Sequence, residues 1–215
     1  MVFVQVSDSV GSGFVPGLAR PGSNLTGFEN FEYSITSKWL ELLKEAAPNV
    51  SRVAALFGPN PNPAGSPAYL EAAQVAAPSL GLTVTAVNVQ GNEIVPAVAA
   101  FASQADGDLV VMPHPKTIAD RAFIMTLAAR HRLPAVYPFR YFATEGGLIS
   151  YGPNQVDQWR SAADYVDRIL RGEKPGELPV QAPTKYELVV NMKTAKALDL
   201  NIPPAFPLRA DEVIE

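Results

Sequence analysis

Two side chains in the middle of the chain have the chemistry to bind a small polar molecule. His114 lies between two prolines directly after an apolar run, and Thr117 opens the helical segment that follows. A histidine held by flanking proline rings could hydrogen-bond a carboxylate or a carbonyl. The free N–H groups of a helix N-terminus near Thr117 could hold an anion. The alternatives are a solvent-exposed loop histidine and plain N-capping by Thr117, and both remain open at this stage.

A second candidate loop follows the next apolar run and is rich in aromatic residues. Phe139 and Arg140 lie within the sequence YPFRYF. Aromatic rings beside one guanidinium could hold an aromatic or aliphatic ligand together with its carboxylate. The competing interpretation is that these rings only pack between structural units.

Three further candidates lie near the N-terminus. Asp8 follows the first apolar run, where its carboxylate could bind a ligand ammonium group or cap a helix that starts near Gly11. Phe28 ends the next short run and could stack on a flat ligand, although an aromatic residue at a strand end usually belongs to the core. Asn30 follows it, and an amide side chain can both donate and accept hydrogen bonds.

The Pro-rich loop GPNPNPAGS contains the last two candidates, Asn60 and Ser66. It follows a predicted buried strand, as the His114 loop does. Amide and hydroxyl groups there suit a zwitterion or an amide ligand. Asn and Pro also simply form turns, so the loop has two interpretations.

Composition and motifs exclude several classes of protein. The 215 residues carry a net charge of −4 and contain no cysteine, which argues against nucleic-acid binding, disulfides and Cys-ligated metals. Dinucleotide, P-loop, serine-hydrolase and zinc-protease motifs are absent. We therefore expect no enzyme activity, no cofactor and no metal.

Alternating apolar runs and helical patterns supply the elements that position these candidates. Buried strands are predicted at 52–57, 83–89, 108–112 and 135–137, separated by helices. Such alternation from residue 34 to residue 137 predicts a doubly wound parallel sheet, in which ligands bind beyond the carboxyl ends of the strands. A short helix is also predicted over Gly11–Ala19.

Four segments of the chain resemble the substrate-binding proteins of ABC transporters, in particular the uncharacterised periplasmic components related to tryptophan-binding lipoproteins. The segments are DSVGSGFVPGLARPGSNLTGF, KWLELLKEAAPNVSRVAALF, AARHRLPAVYPFRYFATEGGLISYGPN and PTKYELVVNMKTAKALDL. The resemblance implies an α/β fold of the periplasmic-binding-protein type I, with ligand held in a cleft between two hinged lobes. It also implies that the Asn60 loop lines that cleft.

The same resemblance implies a division of the chain. Residues 33–146, with 183–200 as an optional addition, would form a complete second lobe. Residues 1–32 and 147–182 would be the remnant of a first lobe that lacks its N-terminal part, and 201–215 would be a tail. An unpaired strand edge at Met1–Val6 would then favour self-association.

The resemblance implies the solute-binding component of an ABC importer, which binds a small amino-acid-like solute without chemistry and delivers it to the importer's permease. Localisation would be periplasmic by resemblance, although no signal peptide is visible, and cytoplasmic if Met1 is the true start. One alternative is a ligand-sensing domain of the same fold in a regulator or receptor. Another is a small flavodoxin-like enzyme, against which the missing motifs argue.

Overall fold

The computed structural model describes residues 1–59 and 66–215. The strands are β1 (Val2–Val6), β2 (Thr26–Glu29), β3 (Arg52–Phe57), β4 (Thr83–Asn88), β5 (Gly107–Val111), β6 (Ala135–Tyr137), β7 (Ile149–Pro153), β8 (Tyr186–Asn191) and β9 (Glu212–Ile214). The α-helices are α1 (Ile35–Ala46), α2 (Ser66–Ala76), α3 (Ile94–Ala102), α4 (Pro115–Ala119), α5 (Arg121–Arg130), α6 (Arg140–Thr144), α7 (Gln155–Leu170) and α8 (Met192–Ala197). No helix within the described part of the chain is long and apolar enough to cross a lipid bilayer.

These elements form two compact units. Unit 1 consists of Met1–Glu32 and Pro153–Tyr186, and unit 2 consists of Tyr33–Gly152 and Glu187–Glu215. The chain therefore passes from one unit to the other near residues 32, 152 and 186.

Unit 2 is built on a seven-stranded sheet of order β4-β3-β5-β6-β7-β8-β9. Strand β3 pairs in parallel with β4 on one side and with β5 on the other. The pairs β5–β6 and β6–β7 are parallel as well. The predicted doubly wound parallel sheet is thus confirmed, and β3 to β6 lie where the apolar runs placed them.

Apolar periodicity explains why these segments form a core. Val53 to Leu56 in β3 are fully buried, as expected for a strand covered on both faces. Helix α1 buries a stripe that contains Trp39, Leu42 and Leu43 at helical spacing. The indole Nε1 of Trp39 donates a hydrogen bond of 2.8 Å to the carbonyl of Tyr151, which satisfies the only polar atom of this buried side chain.

Unit 1 contains a two-stranded parallel sheet, β1–β2, packed on helix α7. Its apolar cluster consists of Phe28, Ala162, Tyr165 and Leu178, with Val2, Val4 and Ile169 packed against it. The outer edge of β2 also pairs with the backbone at Gln181. Among the residues that the structure describes, helix α7 and the extended segment at Gln181 pack against this sheet.

The structure differs from the sequence-based division at two places. Residues 147–152 were expected in the first lobe, but β7 pairs in parallel with β6 and lies in the sheet of unit 2. The expected C-terminal tail contains β9, which pairs in parallel with β8. Both strands are short, and their pairing depends on distant segments that a local sequence pattern does not reveal.

The predicted helix over Gly11–Ala19 is absent, and these residues form turns. Gly13 adopts φ = +75°, in the left-handed region that interrupts a helix. Pro16 removes a backbone donor from the same segment. The helical interpretation was wrong because it followed the apolar spacing and neglected these breakers.

Candidate functional site

The carboxyl ends of β3, β5 and β6 lie at one edge of the sheet in unit 2, since these strands are parallel neighbours. His114 follows β5 by three residues, and Phe139 follows β6 by two. Gly58 follows β3, and a Cβ built on it would lie 1.8 Å from Nδ1 of His114. Only glycine therefore fits beneath the imidazole, and the ring joins the loops after β3 and β5.

The imidazole of His114 is tied to the backbone on two sides. Its Nδ1 accepts a hydrogen bond of 3.0 Å from the N–H of Lys116, so that the side chain caps helix α4. The ring also hydrogen-bonds the backbone of Pro59, whose only backbone polar group is its carbonyl. Partial burial lowers the pKa of His114, and the Pro59 bond opposes that shift only in part. These contacts indicate that the imidazole of His114 is neutral and that it holds the loops after β3 and β5 in position.

Thr117 is fully buried at the start of α4. Its hydroxyl has two carbonyl acceptors within reach, that of Met112 at 2.8 Å and that of His114 at 2.9 Å. A hydroxyl carries a single hydrogen, so it serves one of these carbonyls at a time. The Thr117 hydroxyl is therefore a donor to the backbone of its own loop, and the residue that caps α4 is His114 rather than Thr117.

The aromatic loop after β6 forms a stack of rings. Phe139 is buried and stacks on Tyr141 with centroids 5.4 Å apart, and Tyr141 stacks in turn on Phe142 at 5.1 Å. Burial raises the pKa of Tyr141 to about 12, so its hydroxyl stays protonated near neutrality. The neighbouring Arg140 forms an ion pair with Glu212, the first residue of β9. Most of the stack is therefore buried, and Tyr141 is its partly accessible ring, beside the half-exposed guanidinium of Arg140.

In unit 1, the ends of β1 and β2 bring polar side chains together. Asp8 adopts a left-handed backbone conformation, φ = +50°, and its Oδ1 accepts a hydrogen bond of 2.7 Å from the N–H of Gly11. The buried Glu29 accepts two hydrogen bonds from Ser9, at 2.6 Å from the backbone N–H and 2.7 Å from the hydroxyl. The sequence analysis missed Glu29 as part of this cluster because its partner is twenty positions away.

Two buried amide oxygens in unit 1 have no hydrogen-bond partner among the described residues: Oδ1 of Asn30 and Oε1 of Gln158. The Nε2 of Gln158 donates a hydrogen bond of 2.8 Å to the carbonyl of Glu29, which places helix α7 against the end of β2. An unpaired buried carbonyl costs about 1–3 kcal/mol. Gln158 was not anticipated, since a lone Gln in an amphipathic helix gives no sequence signal.

A cavity of about 150 Å³ in unit 1 lies between the end of β2 and the start of α7. Phe28 and Gln158 line it, so Phe28 has one side in the apolar cluster and one side at the cavity. The remaining lining residues come from the start of α7 and from the segment before β8, namely Pro153, Asn154, Asp157, Ser161, Gln181, Ala182, Pro183, Thr184 and Lys185. A cavity of this volume has room for several waters or for a molecule about the size of benzene.

Asn60 lies outside the described residues. Ser66 is the first residue of α2 and follows β3 in the chain. Of the predicted candidates in unit 2, His114 and Phe139 thus lie at the same sheet edge, while Asp8, Phe28 and Asn30 belong to unit 1. Among the described residues, no group of three or more His, Asp or Glu side chains could hold a metal ion.

The model of the ABC transporter substrate binding protein family matches residues 1–214. The chain belongs to this family. The resemblance inferred from the four sequence segments is therefore confirmed. A tyrosine-binding protein of Clostridioides difficile is 22% identical over 201 residues, which cover 93% of this chain. The chain spans only 57% of the length of that relative.

Solved structures agree with this assignment. The ABC domain of Streptococcus pneumoniae in complex with L-Trp has a TM-score of 0.88 and 26% identity, covering 99% of this chain and 71% of its own. A conserved domain protein of Vibrio cholerae has a TM-score of 0.88 and 28% identity, covering 99% and 70%. The expected type I periplasmic-binding-protein fold is confirmed. A LacI family regulator of Bifidobacterium animalis, at 13% identity and a TM-score of 0.54, shares the fold alone.

Proposed function

We propose that the chain is the solute-binding component of an ABC importer and that its solute is an amino acid with a large apolar side chain. The observation that carries the proposal is the family match over nearly the whole chain. The solute class is supported by the L-Trp complex of the pneumococcal structure and by the name of the tyrosine-binding relative. Binding would involve no covalent chemistry, only a preference of the solute for one conformation of the protein.

In unit 2, the proposed binding elements are the aromatic loop and the loops joined by His114. Tyr141 is the partly exposed ring of the stack, and its apolar face, supported by the buried Phe139, suits an aromatic side chain. Arg140 would contribute positive charge toward a carboxylate, in competition with its ion pair to Glu212. His114 would act as a positioning residue, because its Nδ1 accepts the backbone N–H of Lys116 and its ring lies against Gly58.

In unit 1, the proposed elements are the ends of β1 and β2. Asp8 carries a carboxylate directly after β1, where it could attract an ammonium group. Asn30 and Phe28 at the end of β2 complete this set. The fixed backbone conformation around Asp8, with its Gly11 hydrogen bond, would keep the carboxylate in place.

Isothermal titration calorimetry with L-tryptophan, L-tyrosine, L-leucine and D-ribose tests the proposal. We expect saturable binding of at least one aromatic amino acid with a dissociation constant of about 10 μM or lower, and no heat from the sugar. Binding of the sugar with no response to any amino acid would contradict the proposed solute class.

A matched pair of arginine variants tests the role of Arg140. Both Arg140 and Arg209 are partly exposed and form an ion pair with a glutamate, Glu212 and Glu45 respectively. We expect Arg140→Gln to weaken amino-acid binding by about tenfold, a typical value for one charge-assisted hydrogen bond. Arg209→Gln should leave the dissociation constant unchanged, and equal effects of the two variants would remove Arg140 from the proposed site.

The permease of the importer and a location outside the cytoplasm belong to the same proposal. Members of the family are extracytoplasmic substrate-binding proteins. Co-purification with a co-expressed ABC permease, in the presence and absence of the amino acid found by calorimetry, tests the partnership. Failure to associate in either condition would argue against an importer component.

A further inference from the structure

The side chain of Asn191 joins two elements of unit 2 that are distant in the chain. Asn191 is the last residue of β8 and is only 5% exposed. Its Oδ1 accepts a hydrogen bond of 3.0 Å from the N–H of Thr194 and thereby caps α8. Its Nδ2 donates a hydrogen bond of 2.9 Å to the carbonyl of Ala143 in α6. These contacts require one donor and one acceptor on a short side chain, which is the chemistry of asparagine.

The hydroxyl of Thr194 forms a second bond from α8 to the same segment. It donates a hydrogen bond of 2.9 Å to the carbonyl of Gly146, two residues after the end of α6. Gly146 adopts φ = +115°, a conformation that favours glycine. The N–H of Gly147 donates a hydrogen bond of 2.7 Å back to the carbonyl of Phe142. The turn that ends α6 is therefore fixed by its own backbone and by the side chains of Asn191 and Thr194.

Helix α6 carries two of the proposed solute-binding residues, Arg140 and Tyr141. The start of the helix is held by the ion pair between Arg140 and Glu212. Its middle is held by Phe142, which is fully buried and stacks on Tyr137 with the ring centroids 4.9 Å apart. A solute carboxylate that takes Arg140 away from Glu212 removes the first of these contacts. The position of the guanidinium then depends on the ring stack and on the hydrogen bonds at the end of the helix.

We propose that Asn191 is a positioning residue for the solute, which keeps Arg140 and Tyr141 in the arrangement that binds it. This role rests on the proposed function, since it assumes that those two residues contact an amino acid. Asn191 itself does not contact the solute, because its side chain is buried and its amide bonds to Ala143 and Thr194. A binding element that is already held in the bound arrangement loses less conformational freedom when the solute binds, and so the affinity is higher.

The variant Asn191→Asp separates the two hydrogen bonds of this side chain. A carboxylate has nearly the same shape and still accepts the N–H of Thr194, but it cannot donate to the carbonyl of Ala143. We expect the dissociation constant for the amino acid found by calorimetry to rise by about tenfold at a pH of about 8. Asn201→Asp adds the same charge to unit 2 at an exposed position, and it should leave the dissociation constant within about twofold of the parent protein's.

A double-mutant cycle with Arg140→Gln tests whether the effect of Asn191 is exerted through α6. Once Arg140 is replaced, the position of its guanidinium no longer matters, so Asn191→Asp should weaken binding by less than about threefold in this background. A general loss of folded protein would act equally in both backgrounds. An effect of equal size in the two backgrounds would therefore contradict the positioning role.

Hydrogen exchange followed by mass spectrometry reports on α6 without any solute. The N–H groups of Gly146 and Gly147 bond to carbonyls of α6, and Asn191→Asp should speed their exchange by about fivefold or more. Thr194→Val removes only the bond to the carbonyl of Gly146, and it should speed the same exchange by a smaller factor. The matched control is Thr126→Val, which removes a hydroxyl-to-carbonyl bond of 2.8 Å within α5 and should leave both the exchange and the dissociation constant unchanged.

The two measurements separate an error in this role from an error in the proposed function. If the parent protein binds no amino acid, the proposed function is wrong, and the positioning role is wrong with it. If the parent protein binds an amino acid and Asn191→Asp speeds the exchange without changing the dissociation constant, Asn191 holds α6 but does not position the solute. That result would overturn the positioning role alone, as would a variant in which neither quantity changes.

Discussion

Strand β3 in unit 2 is paired along its length with β4 and with β5, whereas β1 in unit 1 pairs, within residues 1–59 and 66–215, with β2 alone. The interior residues of β3 are fully buried, while every residue of β1 is only partly buried. The strands of the larger sheet therefore contain a continuous buried core. The smaller sheet is covered by α7 and by the segment around Gln181. We infer that the two units differ in how much a single side chain contributes to stability.

The largest effect is expected from the centre of the larger sheet. Leu56 in β3 is fully buried, and Leu56→Ala should lower the free energy of unfolding of unit 2 by about 3–4 kcal/mol through lost burial and a residual cavity. Val4→Ala in β1 should cost unit 1 about 1 kcal/mol, since its side chain is already partly exposed. Urea unfolding followed by circular dichroism measures both.

The two tryptophans allow each unit to be followed separately. Trp39 lies in unit 2 and Trp159 in unit 1, so a Trp159→Phe background leaves a reporter for unit 2 alone. Equal losses for Leu56→Ala and Val4→Ala would show that β1 is as strongly supported as β3, and the contrast between the units would be wrong.

The start of β5, at the other end of the larger sheet from His114, contains a buried carboxyl group. The imidazole of His114 has a hydrogen-bond partner, and within the described part of the chain this carboxyl group lacks one for one of its oxygens. Asp108 in β5 is buried, and its Oδ2 has no hydrogen-bond partner among the described residues. Burial, reinforced by the negative charge of Asp106 and opposed by Lys44, raises the pKa of Asp108 to about 8. The folded protein therefore retains a proton that the unfolded chain releases above a pH of about 4.

The free energy of unfolding should depend on pH, because the folded and unfolded states release the Asp108 proton at different pH values. Stability should fall as the pH rises from about 4 to about 8, because over that window the folded state binds more protons than the unfolded state. Asp108→Asn removes the titration and should raise the free energy of unfolding at pH 8, with little change at pH 4. Urea unfolding at both pH values measures it. The exposed Asp164→Asn serves as the control, and a pH-independent effect of Asp108→Asn would contradict the buried proton.

The sequence predicted the parts of the fold that depend on local pattern and missed those that depend on distant partners. Strands β3 to β6 were placed within one or two residues, because each is a continuous apolar run bounded by turn residues. Strand β9 was missed, since three residues give no periodicity and its partner β8 lies about twenty positions away. In the candidate site, His114 was identified, but its hydrogen bonds to the backbone could not be read from the sequence.

Unit 1 should be sensitive to single hydrogen bonds because so few side chains hold it together. The hydroxyl of Tyr165 donates a bond of 2.9 Å to the carbonyl of Pro179 and accepts one of 2.8 Å from Nε2 of Gln181. Tyr165→Phe keeps the ring, which packs 4.9 Å from Phe28, but removes both bonds. We expect unit 1 to lose about 1–2 kcal/mol.

A double-mutant cycle with Gln181→Leu separates the two hydrogen bonds of Tyr165. Once Gln181 is apolar, Tyr165→Phe should cost less, since only the bond to Pro179 remains to be lost. Urea unfolding followed through Trp159 measures each corner of the cycle. Strictly additive losses would indicate that the Gln181 bond does not stabilise unit 1.

The smallest effect is expected at His114, whose Nδ1 accepts a hydrogen bond from the backbone N–H of Lys116. Burial holds the pKa of His114 below its ordinary value, so the folded state binds the proton less well than the unfolded chain. This contribution to stability is present above a pH of about 6.5 and is lost as the pH falls, because a protonated Nδ1 cannot accept the Lys116 N–H. His114→Gln should reduce the loss of stability between pH 7 and pH 5 by less than about 1 kcal/mol, given the partial exposure of the ring. The matched control is His131→Gln, at the other histidine. If the two variants lose the same free energy of unfolding between pH 7 and pH 5, the protonation of His114 does not affect the stability of the two loops.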